Sequence, residues 1–131
     1  VPVTVIGDVE GIVLRCSAVQ ISQVLLNLLN NAFQATAELP ERWVRLEVLQ
    51  QGEQCLVRVE DSGPGVPPSV VEKMFQLFFT TKPIGQGTGL GLSISRSIIA
   101  RHGGDLFLDQ TRPNTCFVVS IPSKRESLLA G

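Results

Sequence analysis

The chain has 131 residues, 44% of them hydrophobic and 18% charged, with a formal net charge of -1. That length and composition suit one globular domain with a packed core and leave no room for a second, and the lack of a basic excess argues against nucleic acid as a ligand. No apolar run approaches the roughly 18 residues of a membrane span and no basic start leads an apolar signal segment, so the domain is expected to be cytoplasmic and to make no membrane contact, even if its parent protein is anchored.

In chain order, Val3-Thr4-Val5-Ile6 and Ile12-Val13-Leu14 read as two brief β-branched strands around a turn at Gly7, Asp8 and Gly11. Ser17 followed by Gln20 makes a capping-box pattern, after which Ile21, Val24, Leu25, Leu28, Ala32 and Ala35 recur at helical spacing up to about Glu38-Leu39-Pro40. Trp43 to Leu49 and Gln54 to Asp61 alternate like a hairpin joined by Gln51-Gly52-Glu53, and Pro67-Pro68 introduces a short helix over 69–76. A loop rich in Gly and Thr follows, then a helix from about Leu90 to Arg101 that stops at His102-Gly103-Gly104, where glycine suits a left-handed cap. Asp105 to Gln110 and Thr115 to Ile121 make two closing strands around Arg112-Pro113-Asn114.

Several antiparallel connections with about three helices predict a two-layer α/β sandwich, a mixed and mostly antiparallel sheet covered on one face. The non-Met start and the loosely patterned end suggest an excised piece of a longer protein, with 1–122 the domain and 123–131 a linker or tail. Cys16, Cys55 and Cys116 are odd in number and lack metal-site spacing, which predicts reduced core thiols.

On the long helix, Gln20, Gln23, Asn27, Asn31, Gln34 and Glu38 recur every three or four residues and form a polar stripe. Asparagine is a mediocre helix former, so crowding Asn27, Asn30 and Asn31 into less than two turns calls for compensation. Amide oxygens, Asn31 above all, suit magnesium bound together with phosphates; an ordinary solvated polar face is the alternative. Asp61 falls in phase with Cys55, Val57 and Val59, which aims its carboxylate inward, where the exocyclic amino group of an adenine would satisfy it. Ser62-Gly63-Pro64-Gly65 behind it allows a close backbone approach to the base or an unusual turn; a plain turn opened by an Asp is the alternative.

Gly85-Gln86-Gly87-Thr88-Gly89-Leu90-Gly91 precedes a helix, so its amides and that helix start can meet phosphates. A P-loop's Lys-Ser/Thr ending is missing, as is the strand that leads a dinucleotide fingerprint. Phe75, Phe78 and Phe79 before Thr80-Thr81-Lys82-Pro83 read as an aromatic anchor followed by a lid, whose Lys82 either reaches the terminal phosphate or is simply a solvated lysine. His102, the sole histidine, is placed for a dipole-facing or capping role.

Together, Gln23-Val24-Leu25-Leu26-Asn27-Leu28-Leu29-Asn30-Asn31-Ala32 resembles the N box of histidine kinases and Asp61-Ser62-Gly63-Pro64-Gly65 their first glycine box. Phe75-Gln76-Leu77-Phe78-Phe79-Thr80-Thr81-Lys82 is similar to the F box, and Gly87-Thr88-Gly89-Leu90-Gly91-Leu92 to the second glycine box. The resemblance, spanning roughly Val3 to Pro122, implies the Bergerat ATP-binding fold shared with gyrase, mismatch-repair ATPases and a heat-shock chaperone. It implies the ATP-binding catalytic domain of a sensor histidine kinase, with ATP and Mg2+ as cofactors and Asn31 as metal ligand. The nucleotide set it implies is Asn31, Gln34, Asp61, Gly63, Gly65, Val66, Phe78, Thr81, Lys82, Gly87, Thr88, Gly89, Leu90 and Gly91, with Asn27, Asn31 and Lys82 serving phosphate transfer.

Asn27 stands where the gyrase-like branch carries a water-activating glutamate, so efficient hydrolysis is not expected. The implied partners are the phosphoacceptor dimerisation helices of the parent kinase and, downstream, a response regulator. Gln34 and Ser17 depart from residues common in relatives at those places. An anti-sigma-factor-type serine kinase and a non-catalytic adenine-nucleotide module are the other readings.

Overall fold

A computed structural model describes residues 3–7, 12–13, 17–76 and 91–125. The elements are β1 (Val3–Ile6), β2 (Ile12–Val13), α1 (Ala18–Thr36), β3 (Val44–Gln51), β4 (Gln54–Asp61), α2 (Pro68–Val71), α3 (Gly91–Arg101), β5 (Asp105–Leu108), β6 (Cys116–Pro122) and β7 (Lys124–Arg125). Five strands form one sheet in the order β1-β3-β4-β6-β5, with β1 parallel to β3 and every other neighbour antiparallel. The two-layer reading therefore holds, as a mixed sheet with the helices on one side.

The two N-terminal strands do not pair with each other as a turn between them would suggest. β1 lies along β3, whereas β2 pairs with β7 in a separate two-stranded ribbon. Four residues of β1 gain a full ladder on β3, with Val3 opposite Val44 and Ile6 opposite Glu47. That ribbon carries regular structure to Arg125.

Alternation along the strands divides the molecule. Toward the helices, Cys55, Val57 and Val59 of β4 join Phe117, Val119 and Ile121 of β6 and Leu106 and Leu108 of β5. Against them pack Val24, Leu28 and Ala32 of α1, Ile98 and Ile99 of α3, and Met74. On the outer face Leu56, Cys116 and Val118 lie beneath Leu49 and a layer of long charged side chains. Glu60 there is bridged at 3.3 Å by both Arg45 and Arg112, and Arg58 reaches Glu47 at 2.8 Å. Cys55 and Cys116 are buried free thiols on opposite faces, and burial pushes the Cys116 thiol up to about 11; Cys16 lies outside the described residues.

The expected cap forms at α1, where Ser17 Oγ accepts from the Gln20 N–H at 3.3 Å. The helix ends at Thr36, short of the expected 38–40, where the chain turns ahead of Pro40 and Thr36 Oγ1 donates back to the Ala32 carbonyl at 2.9 Å. α2 is shorter than 69–76; only Pro68–Val71 is helical, and turns carry the chain to Phe75. α3 stops at Arg101, and Gly103 takes the left-handed φ of 78° foreseen for the cap.

His102 does more than face a dipole. Its Nδ1 lies 2.7 Å from the Ile98 carbonyl and its Nε2 accepts from the Ser17 N–H at 3.1 Å. A carbonyl only accepts and an amide N–H only donates, so the ring is the neutral Nδ1–H form. The end of α3 is thereby joined to the start of α1. No helix among the described residues is long and apolar enough to cross a membrane.

Candidate functional site

Asp61 is the last residue of β4 and, at 3% exposure, one of two buried charged residues among those described, with Glu60. Its Oδ1 accepts from the Gly63 N–H at 2.7 Å. Burial raises the carboxyl from 3.8 to about 6, with the Gly63 hydrogen bond pulling it down and the neighbouring Glu60 charge adding to the rise. The inward aim read from strand parity is what the fold delivers.

The loop that follows is held from two sides. Ser62 N–H donates to the Trp43 carbonyl and Ser62 Oγ accepts from the Trp43 N–H, both at 3.1 Å. From the β5–β6 connection, the Thr115 carbonyl accepts from the Asp61 N–H at 2.9 Å and Thr115 Oγ1 from the Gly65 N–H at 3.2 Å, while Asn114 Nδ2 donates to the Gly63 carbonyl at 3.0 Å. A Cβ on Gly63 would stand 2.7 Å from Asp61 Oδ1 and 3.1 Å from Thr115 Oγ1, and Gly65 has a φ of 91°. Both glycines are thus set by the loop itself, one by close approach and one by handedness.

Thr115 and Asn114 were not among the residues singled out from sequence. Their role arises from the β4–β6 register, which sets Glu60 opposite Cys116 and so brings 115 beside 61. The one local signal is a polar Thr leading an apolar strand, and Thr115 is indeed buried. Val66, at the far end of the loop, packs on the core.

At the other side, Asn27 and Asn31 are half-buried on α1, whereas Asn30, Gln23, Gln34 and Glu38 are exposed. Asn27 Nδ2 donates to the Gly91 carbonyl at 2.7 Å and to Ser95 Oγ at 3.0 Å, so this amide is engaged by α3. An open cavity of about 860 Å³ adjoins the junction, with Gln23, Asn27, Asn30 and Gly91 among its polar and backbone lining and Val19, Leu26 and Ile94 on its apolar rim. Phe75, where the aromatic segment starts, packs edge-on to Phe117 with ring centres 6.5 Å apart, and the Arg96 guanidinium lies 4.5 Å from its ring centre. Phe78, Thr81, Lys82, Gly87, Thr88, Gly89 and Leu90 lie outside the described residues. Gly91 alone of that glycine run is described, as the first residue of α3.

Among the described residues no group of three or more His, Cys, Asp or Glu is placed to hold a metal ion. A magnesium ion here would draw on amide oxygens and on phosphates of its ligand.

Residues 16–125 match the family model described as histidine kinase-, DNA gyrase B-, and HSP90-like ATPase. The chain belongs to this family. Within it, the chain is 41% identical over 118 residues to the two-component sensor PprA of Pseudomonas aeruginosa, covering 86% of this chain and 13% of that protein. It is 38% identical over 104 residues to the sensor protein ChvG of Agrobacterium fabrum, covering 76% of this chain and 17% of that protein. The chain therefore spans less than a fifth of these relatives. Among solved structures, the nucleotide-free catalytic domain of histidine kinase ThkA superposes with a TM-score of 0.80 at 35% identity, covering 92% of this chain and 79% of that one. ThkA in complex with the response regulator TrrA gives 0.77 at 32% identity, covering 93% and 34%. The family's ATP-binding domain thus accounts for the sheet, the helices and the loop after β4.

Proposed function

We propose that this chain is the ATP-binding catalytic part of a two-component sensor histidine kinase, presenting ATP so that its γ-phosphate passes to a histidine on dimerisation helices of the parent protein. A response regulator then takes the phosphate onward. The observation that carries this reading is Asp61: a buried carboxyl, tied through one oxygen to a loop braced by Thr115, at the end of a strand in an ATP-binding family. A buried carboxylate recognises a donor, and the amino group of adenine is one.

In this scheme Asp61 and the loop through Gly63, Gly65 and Val66 hold the base. Asn31 offers a neutral amide oxygen, the hard donor magnesium takes, and the ion would supply charge neutralisation between phosphate oxygens. Lys82 and the run Gly87-Thr88-Gly89-Leu90-Gly91 serve the phosphates, with Phe78, Thr81 and Gln34 completing the set. A chain with asparagine rather than a carboxylate at 27 positions phosphate without deprotonating water, which suits transfer to a protein nucleophile over hydrolysis. The relatives' names, two-component sensor and sensor protein, support the same choice.

The test supplies the chain with γ-labelled ATP, magnesium and the parent's acceptor helices. Acid-labile phosphate on those helices is expected. Acid-stable phosphoserine on the partner would instead make the chain a serine kinase, and ATP binding with no transfer would make it a non-catalytic nucleotide module.

A further inference from the structure

Asn27 stands one helical turn before Asn31, yet its amide is turned to the protein. Both Nδ2 hydrogens go to α3, one to the Gly91 carbonyl at 2.7 Å and one to Ser95 Oγ at 3.0 Å. The carbonyl only accepts, which decides that nitrogen and not oxygen faces α3. Ser95, at 1% exposure, meets the amide from inside the fold. A Cβ on Gly91 would stand 2.8 Å from Asn27 Nδ2 and 2.9 Å from its Oδ1, so any side chain there pushes the amide off both acceptors. Three residues on two helices are fitted to one another, and the fit also accounts for a poor helix former within α1.

We propose that Asn27 is a positioning residue: its amide sets the first turn of α3 against α1, and so fixes the spacing between Asn31 and the N-terminal amides of α3. The proposal rests on the nucleotide reading of the site, in which those two elements flank the phosphates. A carboxylate at 27 would oppose the Gly91 carbonyl with like partial charge, so α3 itself demands the amide. The role is exerted on phosphate geometry through α3, without Asn27 touching the base.

The experiment titrates this chain, calorimetrically, with adenosine and separately with ATP plus magnesium. Adenosine engages only the Asp61 end, so the gain of ATP over adenosine isolates the phosphate end. Asn27→Asp and Gly91→Ala are each expected to lower ATP affinity about tenfold while adenosine affinity changes less than about twofold, two modest hydrogen bonds being at stake. Ser95→Ala, one bond removed from the ligand, moves ATP affinity the same way by a smaller factor. In an Asn27→Ala background, adding Gly91→Ala costs little more, because the crowding side chain is gone.

Parallel loss of adenosine and ATP binding would reduce Asn27 to a packing residue and overturn the proposal. So would Gly91→Ala and Ser95→Ala chains that bind ATP like wild type. A wild-type chain that binds ATP no better than adenosine would instead overturn the nucleotide reading, and the inference with it.

Discussion

Asp61→Asn separates what the fold wants from what the ligand wants. Burial holds this carboxyl at about 6 against 3.8, so the folded chain binds its proton more tightly than the unfolded one. The stability from that proton is complete below 3.8 and is lost as pH climbs through about 6. At about 1.36 kcal/mol per pKa unit, the ionised folded chain forgoes up to about 3 kcal/mol. Asparagine keeps an oxygen for the Gly63 N–H and carries no charge to bury. Ligand-free Asp61→Asn is therefore expected to exceed wild type in denaturant stability by up to about 3 kcal/mol near pH 8, with the difference shrinking toward zero near pH 4.

Binding runs the other way. An ionised acceptor for the adenine amino group is worth about 1.5–3 kcal/mol, so the variant should lose about 10- to 100-fold in ATP affinity. Wild-type affinity should rise with pH through about 6, the value burial sets for Asp61, and the variant's should stay level. Urea unfolding and calorimetric ATP titration at three pH values measure both. Equal stabilities at high pH, or wild-type ATP binding indifferent to pH, would refute the buried-charge argument.

Thr115→Val keeps the shape but leaves the Gly65 N–H without its acceptor, and should cost about 1–3 kcal/mol by thermal or urea unfolding while weakening ATP binding. Ser17→Ala removes the α1 cap and should cost about 1 kcal/mol in the same unfolding assay. Glu60→Ala leaves Arg45 and Arg112 facing each other without their shared carboxylate; a loss of about 2–3 kcal/mol, partly recovered in the Glu60→Ala/Arg112→Ala double variant, is expected from urea melts. Native Cys55 and Cys116 should react with a thiol reagent at pH 8 only on unfolding, since burial raises both thiols.

Much of this was legible because the periodicities were strong. Ser17 and the apolar spacing behind it announced α1, and the parity of 55, 57, 59 and 61 aimed Asp61 inward. What escaped reading depends on partners distant in sequence. Nothing near residue 3 says that its strand runs parallel to one at 44, and nothing near 115 says that it braces 61–65. The amide at 27 reads from sequence as part of a stripe, but its engagement with Gly91 is a tertiary fact, 64 residues away along the chain. α1 and α2 end before their apolar spacing does, because the chain passes into turns there while apolar residues go on recurring.

His102 gives α3 a second tie to α1. The ring fastens the tail of that helix to the head of α1, while its head is fastened separately at Asn27. An 11-residue helix is about 16 Å long, so with the tail held, a tilt of only about 4° carries the head about 1 Å. Both ends of α3 are thus tied to α1, so the geometry at its head depends on the histidine at its tail as well as on Asn27.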